Sequence, residues 1–351
     1  MCMIKILHSG DWHLDSPLQG RTPEQAVILR RELGKIPGKL AELCRQEQCD
    51  LVLLSGDLFD GAYTQESYRQ VYDALQRMGV PVFLSPGNHD YICPESPYEK
   101  EIWPENVHIF KKQQIEWVDL PDLSLRVYGA GFQSMDCPGL LENFKAEGNS
   151  VGVFHGDPTQ VNSPYNPITK RQVQQSQLRY LALGHVHKGD SFTAGQTLCA
   201  WPGCPMGRGW DEQGEKGALI ITLDETVQMQ FVPLDAPKFY DLSVDYAKGV
   251  GSVLPAVPGN DFYRVTLTGE AEQVDLEALG EAFGEFPNLV LRDDTHRPAD
   301  PWEHAGEDNF EGVYFGILKQ MRENADEEEK ARILLAAKLS RKILDGQEVV
   351  L

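Results

Sequence analysis

The sequence predicts an α/β fold built on a mostly parallel sheet, and three observations predict it. Short apolar runs recur at Asp50-Leu51-Val52-Leu53-Leu54, Val80-Pro81-Val82-Phe83-Leu84, Ser150-Val151-Gly152-Val153-Phe154 and Tyr180-Leu181-Ala182-Leu183, each about as long as a buried strand. Helical spacing over Pro23 to Gln46 and Gln65 to Met78 alternates with the first of them. The connections are short, and strand, helix, strand in close succession pairs in parallel through right-handed crossovers. Each run also stops in polar residues, so those residues collect at strand ends, where open α/β sheets keep their chemistry.

In chain order, Ile4 to His8 is the first strand and ends in Ser9-Gly10-Asp11-Trp12-His13-Leu14-Asp15. One residue separates Asp11 from His13, so extended backbone would point both to the same side. In the helix that follows, Pro37-Gly38 predicts a break or kink. The strand at 51–54 delivers Ser55-Gly56-Asp57-Leu58-Phe59-Asp60, and the strand at 80–84 delivers Ser85-Pro86-Gly87-Asn88-His89-Asp90. Gly87 permits a turn that a Cβ would obstruct, and Asn88 offers a neutral carbonyl oxygen suited to a divalent cation. Val107 to Phe132 reads as shorter strands with turns. Two further strands then deliver His155-Gly156-Asp157 and Gly184-His185-Val186-His187. Between them, Pro158 to Gln177 reads as a loop over the strand ends followed by a short helix. Strands at Gly217 to Leu223 and Val227 to Val232 complete this part, around a glycine-rich turn at Gly203 to Gly209.

At 351 residues and 41% hydrophobic, the chain is long enough for roughly two domains. A boundary near Pro233 to Pro237 gives a first domain over 1–235. Residues 236–295 read as a small α/β domain with strands at Phe239–Val244, Phe262–Thr268 and Leu289–Arg292 and a helix over Val274–Phe283. A polar linker covers 296–309, and 310–351 is a helical pair. Phe310, Val313, Tyr314, Ile317, Leu318 and Met321 form one apolar stripe, and Ile333, Ala336, Ala337 and Leu344 another. These stripes either pack on the protein itself or dock a partner.

No run approaches the roughly 18 to 20 apolar residues of a membrane span, and the start of the chain passes directly into a strand without a secretory pattern, so a cytoplasmic protein is expected. Seven scattered cysteines fit reduced thiols, and the spacings of Cys44/Cys49 and Cys199/Cys204 are too loose for a zinc knuckle. A net charge of −21 argues against a chain that grips nucleic acid by its overall field. A polyanionic substrate would be held locally by metal ions, by a partner subunit, or by cations such as Arg21, Lys170, Arg171, Lys188 and Arg208.

Five of the nine histidines, His13, His89, His155, His185 and His187, follow predicted strands together with Asp11, Asp57 and Asn88. This mixed oxygen and nitrogen set suits manganese, iron or zinc and not a thiolate-rich structural zinc site. Eight such groups are too many for one ion, and a pair of ions bridged by one carboxylate would use them.

Asp11-x-His13, Gly56-Asp57, Gly87-Asn88-His89-Asp90, His155-Gly156 and Gly184-His185-Val186-His187, in that order, resemble the motif series of the calcineurin-like metallophosphoesterases over roughly residues 4 to 190. Within that superfamily the chain is most similar to the SbcD-type DNA repair exonuclease subunits, a likeness that continues less specifically through Pro202 to Gly209, the small domain and the tail. The resemblance implies a four-layer sandwich of two mixed sheets flanked by helices. It implies that Asp11, His13, Asp57 and His187 hold one ion and Asp57, Asn88, His155 and His185 the other, with manganese first and iron or zinc as alternatives. His89 would stabilise or protonate the leaving oxygen, Asp60 would orient His89, and Arg208 would bind substrate. Asp60 is followed by Gly61, where phosphoprotein phosphatases of the superfamily carry a phosphate-binding Arg. The implied function is a metal-dependent DNA nuclease partnered by an SbcC-type coiled-coil ATPase, in a family whose members are commonly dimers. The alternative is a small-molecule phosphodiesterase or phosphatase.

Overall fold

The computed structural model describes residues 3–346. In order the chain forms β1 (Ile4–Ser9), α1 (Pro23–Gln46), β2 (Leu51–Leu54), α2 (Gln65–Met78), β3 (Val82–Leu84), α3 (Pro97–Lys100), β4 (Val107–Ile109), β5 (Glu116–Leu120), β6 (Leu125–Gly129), β7 (Ser150–His155), α4 (Lys170–Ser176) and β8 (Tyr180–Gly184). It continues through β9 (Lys188–Ala194), β10 (Thr197–Gly203), β11 (Gly217–Leu223), β12 (Val227–Pro233), β13 (Phe239–Asp245), β14 (Phe262–Thr268), α5 (Leu276–Ala282), β15 (Leu289–Asp293), α6 (Phe310–Glu323) and α7 (Glu327–Leu344). Two units result, residues 3–241 with 259–263 and residues 242–258 with 264–346.

Side-chain alternation sets the layers of the first unit. Its two sheets have the orders β12-β11-β1-β2-β3-β4 and β5-β6-β7-β8-β10-β9. In the first sheet β1 to β4 run parallel and β11 pairs antiparallel with both β1 and β12, whereas the second is parallel at its centre and antiparallel at both edges. Ile4 and Ile6, Leu51 and Leu53, and Phe83 meet Val127, Val151, Val153, Tyr180 and Ala182 of the other sheet. Their neighbours Leu7, Val52, Leu54, Val82 and Leu84 face the opposite way, onto Leu29, Leu33, Ile36 and Leu40 of α1 and Val71 and Leu75 of α2. On the second sheet, Tyr128, Phe154, Leu181 and Leu183 pack with Val173 of α4. A period of two on strands buried on both faces therefore yields helix, sheet, sheet, helix. The ends of β1, β2 and β3 lie side by side in one sheet, and those of β7 and β8 in the other.

α1 starts at a capping box, with the Thr22 side chain accepting from Gln25 N and Pro23 in the first turn. The break expected at Pro37 does not occur. Proline removes one backbone donor, but Pro37 is buried beside Leu33, Ile36 and Leu40, and that packing carries the helix through.

A third sheet has the strand order β13-β14-β15, and in the second unit Val244, Val265 and Leu267 of these strands pack with Leu279 and Phe283. α6 and α7 are capped by Asn309 and Asp326. They are joined by Tyr314 Oη and Ser340 Oγ at 2.9 Å and by Arg341, which lies over the Phe315 ring and reaches Glu311 at 3.0 Å. Ala337 and Arg341 take the buried positions on α7, whereas Leu344, placed on that stripe by its spacing, is exposed at the helix end. Phe310, Val313, Ile317 and Met321 form an exposed row on α6. Among the described residues no helix is long and apolar enough to cross a membrane.

One imidazole lies between the sheets. His8 is fully buried, with Nδ1 2.7 Å from Tyr180 Oη and Nε2 3.1 Å from Ser55 Oγ. Burial pushes its pKa down to about 3, so the folded chain binds it neutral whereas the unfolded chain protonates it below its ordinary value of 6.5. Stability from His8 is therefore complete above pH 6.5 and is lost as pH falls from there toward 3. In metal-free protein, His8→Gln is expected to remove about one proton's worth of that acid slope, about 1.4 kcal/mol per pH unit. Urea unfolding at intervals from pH 7 to 4 checks this, and parallel slopes for the two proteins would contradict it.

Candidate metal centre

The loops that leave β1, β2 and β3 are laced together before they reach the site. Asp11 N donates to Gly56 O, His13 N to Asp57 O and Leu14 N to Leu58 O, each at 2.9 Å. Asp90 anchors the other side: its carboxylate accepts from Asp57 N at 3.2 Å, Leu58 N at 2.7 Å and Gly87 N at 2.8 Å, and from the Tyr98 hydroxyl. Two glycines make the approach close enough. Gly56 has φ +89° and a Cβ there would lie 2.6 Å from Ser85 O, while a Cβ on Gly87 would lie 2.2 Å from Asp57 Oδ1.

The extended backbone expected at Asp11 and His13 is not what brings them together. β1 ends at Ser9, and both residues adopt left-handed backbone, with φ 54° and 47°. Asp57 (φ 51°) and His185 (φ 99°) do the same. Asp and His tolerate this region better than most side chains, and the backbone bonds to Gly56 and Asp57 hold the turn. Both side chains still reach the site, through a tight loop.

Asp57 lies at the middle of the cluster. Its Oδ2 is 3.4 Å from His155 Nε2 and 3.8 Å from His13 Nε2, and its Oδ1 accepts from His89 N at 2.9 Å. Ligand atoms of Asp11, His13 and His187 lie within 4.8 Å of one another, as do those of Asp11, Asp57 and His155, and those of His13, Asp57 and His89. Asn88 Oδ1 is 2.8 Å from His155 Nε2 and 3.1 Å from His185 Nδ1. All seven residues expected to bind metal are thus gathered in one place, with His89 beside them. The second sheet is tied to the first there, because His185 N donates to Asp11 Oδ1 at 2.9 Å and His155 Nδ1 meets Ser55 O at 2.8 Å.

The donor set fits divalent cations. With His155 Nδ1–H given to a carbonyl, its Nε2 carries a lone pair that faces the Asn88 carbonyl oxygen, so two acceptors confront each other. His187 Nδ1 lies 2.7 Å from Glu212 Oε1, which leaves Nε2 as an acceptor 3.0 Å from His13 Nε2. His13 Nδ1 is buried with no hydrogen-bond partner. Burial lowers the pKa of His13 and His185 to about 3 and also lowers that of His155, keeping these rings neutral and able to ligate. Asp11 and Asp57 are raised by burial first, and Asp57 further by the Asp90 charge.

His89 is the exposed member of the group, with Nδ1 2.6 Å from Asp60 Oδ1. That hydrogen bond is the largest cause of its raised pKa. Arg208 sits at the rim with Nη1 3.8 Å from Asp60 Oδ2, but its guanidinium is engaged by Glu212 at 2.7 Å. Of the other sequence candidates, Arg21 lies over the Trp210 and Phe239 rings and Lys170 over Phe192. Glu212 and Asp90 are the participants that sequence reasoning left without a role. Asp90 had a signal in its place directly after Gly87-Asn88-His89, whereas Glu212 sits in the polar segment Trp210-Asp211-Glu212-Gln213 and had none.

A family profile described as calcineurin-like phosphoesterase matches residues 4–189. The chain belongs to the calcineurin-like phosphoesterases. The family supplies the phosphoester hydrolase chemistry, and the cluster around Asp57 is its candidate divalent-metal site. Relatives include the uncharacterized metallophosphoesterase YhaO of Bacillus subtilis, 30% identical over 62% of this chain and 57% of that protein. The SbcD component of the SbcCD nuclease from the same organism is 24% identical over 62% of this chain and 66% of that protein. The chain thus spans somewhat less than two thirds of the length of each. Among solved structures, a dimetal phosphatase of Danio rerio is 12% identical over 65% of this chain and 95% of that one, with a TM-score of 0.42.

Glu212 holds His187 at Nδ1 and is not among the clustered ligand residues, so it tests the centre without removing a ligand. Glu212→Gln is expected to weaken manganese binding about 10- to 100-fold in calorimetric titration. An unchanged affinity would contradict the role given to Glu212.

Proposed function

We propose that this phosphoesterase is a manganese-dependent DNA nuclease that works in the cytoplasm with an SbcC-type coiled-coil ATPase. The observation that carries the reading is the pairing of a presented imidazole, His89, with the Asp60 carboxylate at the edge of a cluster that gathers all seven expected ligands. The likeness to the SbcD component of the SbcCD nuclease supports DNA as the substrate and the ATPase as partner. A chain of charge −21 has little field of its own to hold DNA, and a cationic partner would supply it. The exposed row Phe310, Val313, Ile317 and Met321 offers that partner an apolar helix face with anchors at helical spacing.

In this reading Asp11, His13, Asp57 and His187 hold one divalent ion and Asp57, Asn88, His155 and His185 the other. When bound, such a pair supplies Lewis acidity, activating water and offsetting charge on the phosphate oxygens. The protein's own part is positional. Asp60 keeps Nδ1 of His89 protonated and turns Nε2 toward the leaving side, where it donates a proton to the departing oxygen. Glu212 fixes the guanidinium of Arg208, which steadies a phosphate oxygen at the rim. The raised carboxylates Asp11 and Asp57 are buried away from solvent, so the site presents to water chiefly His89.

Degradation of linear DNA in manganese, measured beside hydrolysis of bis-p-nitrophenyl phosphate, tests the reading. The wild-type chain with an added ATPase should degrade the DNA, and His89→Asn should lower that rate by about 10²- to 10⁴-fold while still binding manganese. Activity confined to the small ester, with and without ATPase, would favour the small-molecule phosphodiesterase instead. Asp60→Asn should lower kcat about 10-fold or more at unchanged manganese affinity, and unaltered turnover would remove its role.

A further inference from the structure

A cavity of about 420 Å³ opens beside the metal centre and shares His89 with it. Gly61, Ala62, Tyr63, Tyr91 and Glu95 are among its other walls. Its place follows from the chain: Gly61 and Ala62 come directly after Asp60, and Tyr91 two residues after His89. A group bonded to an oxygen that departs toward His89 therefore has this space in front of it.

The lining decides what kind of group fits. It contains no Lys or Arg among its residues and carries Glu95, so it repels a phosphate. It contains two phenol rings. Tyr63 is fixed on two sides, by its hydroxyl, which donates to Glu101 Oε1 at 2.7 Å, and by the Phe59 ring, 5.9 Å away. A wall held in this way loses little side-chain freedom when a planar ligand stacks on it. Gly61 and Ala62 are exposed, and the position a Cβ would take on Gly61 has nothing within 4 Å, so the entrance is open. The volume lies within the range of small-molecule sites. The pocket is thus open, aromatic and without a cation among its lining residues.

We propose that this cavity is the subsite for the base of the nucleoside that leaves on the His89 side, a neutral aromatic ring stacked against Tyr63 and Tyr91. The proposal rests on the nuclease reading and adds to it a determinant of substrate choice. Sequence-tolerant base stacking on aromatic side chains is the mode by which proteins hold single strands. The leaving nucleoside is therefore unpaired when bound, and a paired base does not enter.

Binding of an uncleavable dinucleotide tests this apart from catalysis. The probe is d(ApA) with a methylene in place of the bridging oxygens, titrated in manganese beside the same compound lacking both bases. The base-bearing probe should bind more tightly, and Tyr91→Ala should raise its Kd about 10-fold while leaving the base-free probe within about two-fold. Tyr91→Phe keeps the ring and should restore binding. Ala62→Trp, at an exposed position, fills the entrance and should weaken the base-bearing probe in the same way. Equal binding of the two probes by the wild-type chain, no binding of either, or Tyr91→Ala and Ala62→Trp both binding d(ApA) like wild type, would overturn the subsite. Failure of the protein to cleave DNA in manganese would overturn the nuclease reading and would leave a measured base preference standing.

Discussion

Two carboxylates buried without a basic side chain are the constraint on which the rest of the structure depends. Asp11 and Asp57 have almost no exposure, and among the described residues neither pairs with a Lys or Arg. Burying such groups charged and unpaired costs several kcal/mol each. Their raised pKa values express that cost. Around them stand His13, His155 and His185, kept neutral by burial, and a carbonyl oxygen that meets His155 Nε2 as acceptor to acceptor. Each of these features is unfavourable alone, and all are relieved together by divalent cations. The site is built for ions that supply the missing positive charge.

Such a site needs a scaffold that holds it against its own repulsion. Four of its residues, Asp11, His13, Asp57 and His185, sit in left-handed backbone, at a cost of order 1–3 kcal/mol each. What holds them is a set of hydrogen bonds around the cluster: Asp90 gathers backbone donors from the β2 and β3 loops, Asp11 accepts from His185 N, and Ser55 O meets His155 Nδ1 of the opposite sheet. The two-sheet core beneath gives those loops fixed origins, because Ile6, Leu53, Phe83, Val153 and Ala182 pack in one layer between the sheets. Stability of the first unit and geometry of the centre are therefore one property.

Much of this was legible in the sequence, for physical reasons. Apolar runs that end in Gly and Asp or His mark strand ends, and three successive strand-helix units place those ends side by side, so the gathering of Asp11, Asp57 and Asn88 follows from local pattern. The convergence of His155 and His185 follows from the same pattern in the second sheet. The pattern did not yield the backbone of Asp11 and His13, because period-two reasoning assumes a strand that in fact ends at Ser9. Nor did it yield the continuity of α1 through Pro37, where tertiary packing overrides a local breaker. Glu212 was invisible because its meaning comes only from its contact with His187, 25 residues earlier, across a glycine-rich turn. Leu344 shares the face of Ala337 by spacing but is exposed, because it is the last residue of α7 and the buried contacts of that face end at Arg341.

The most direct test of the account is the number and position of ions at Asp57. Crystals grown with manganese, with diffraction recorded on both sides of the manganese absorption edge, should show two anomalous peaks per chain that share the Asp57 carboxylate, one beside His187 and the other beside Asn88. One peak, or ions placed away from Asp57, would contradict it.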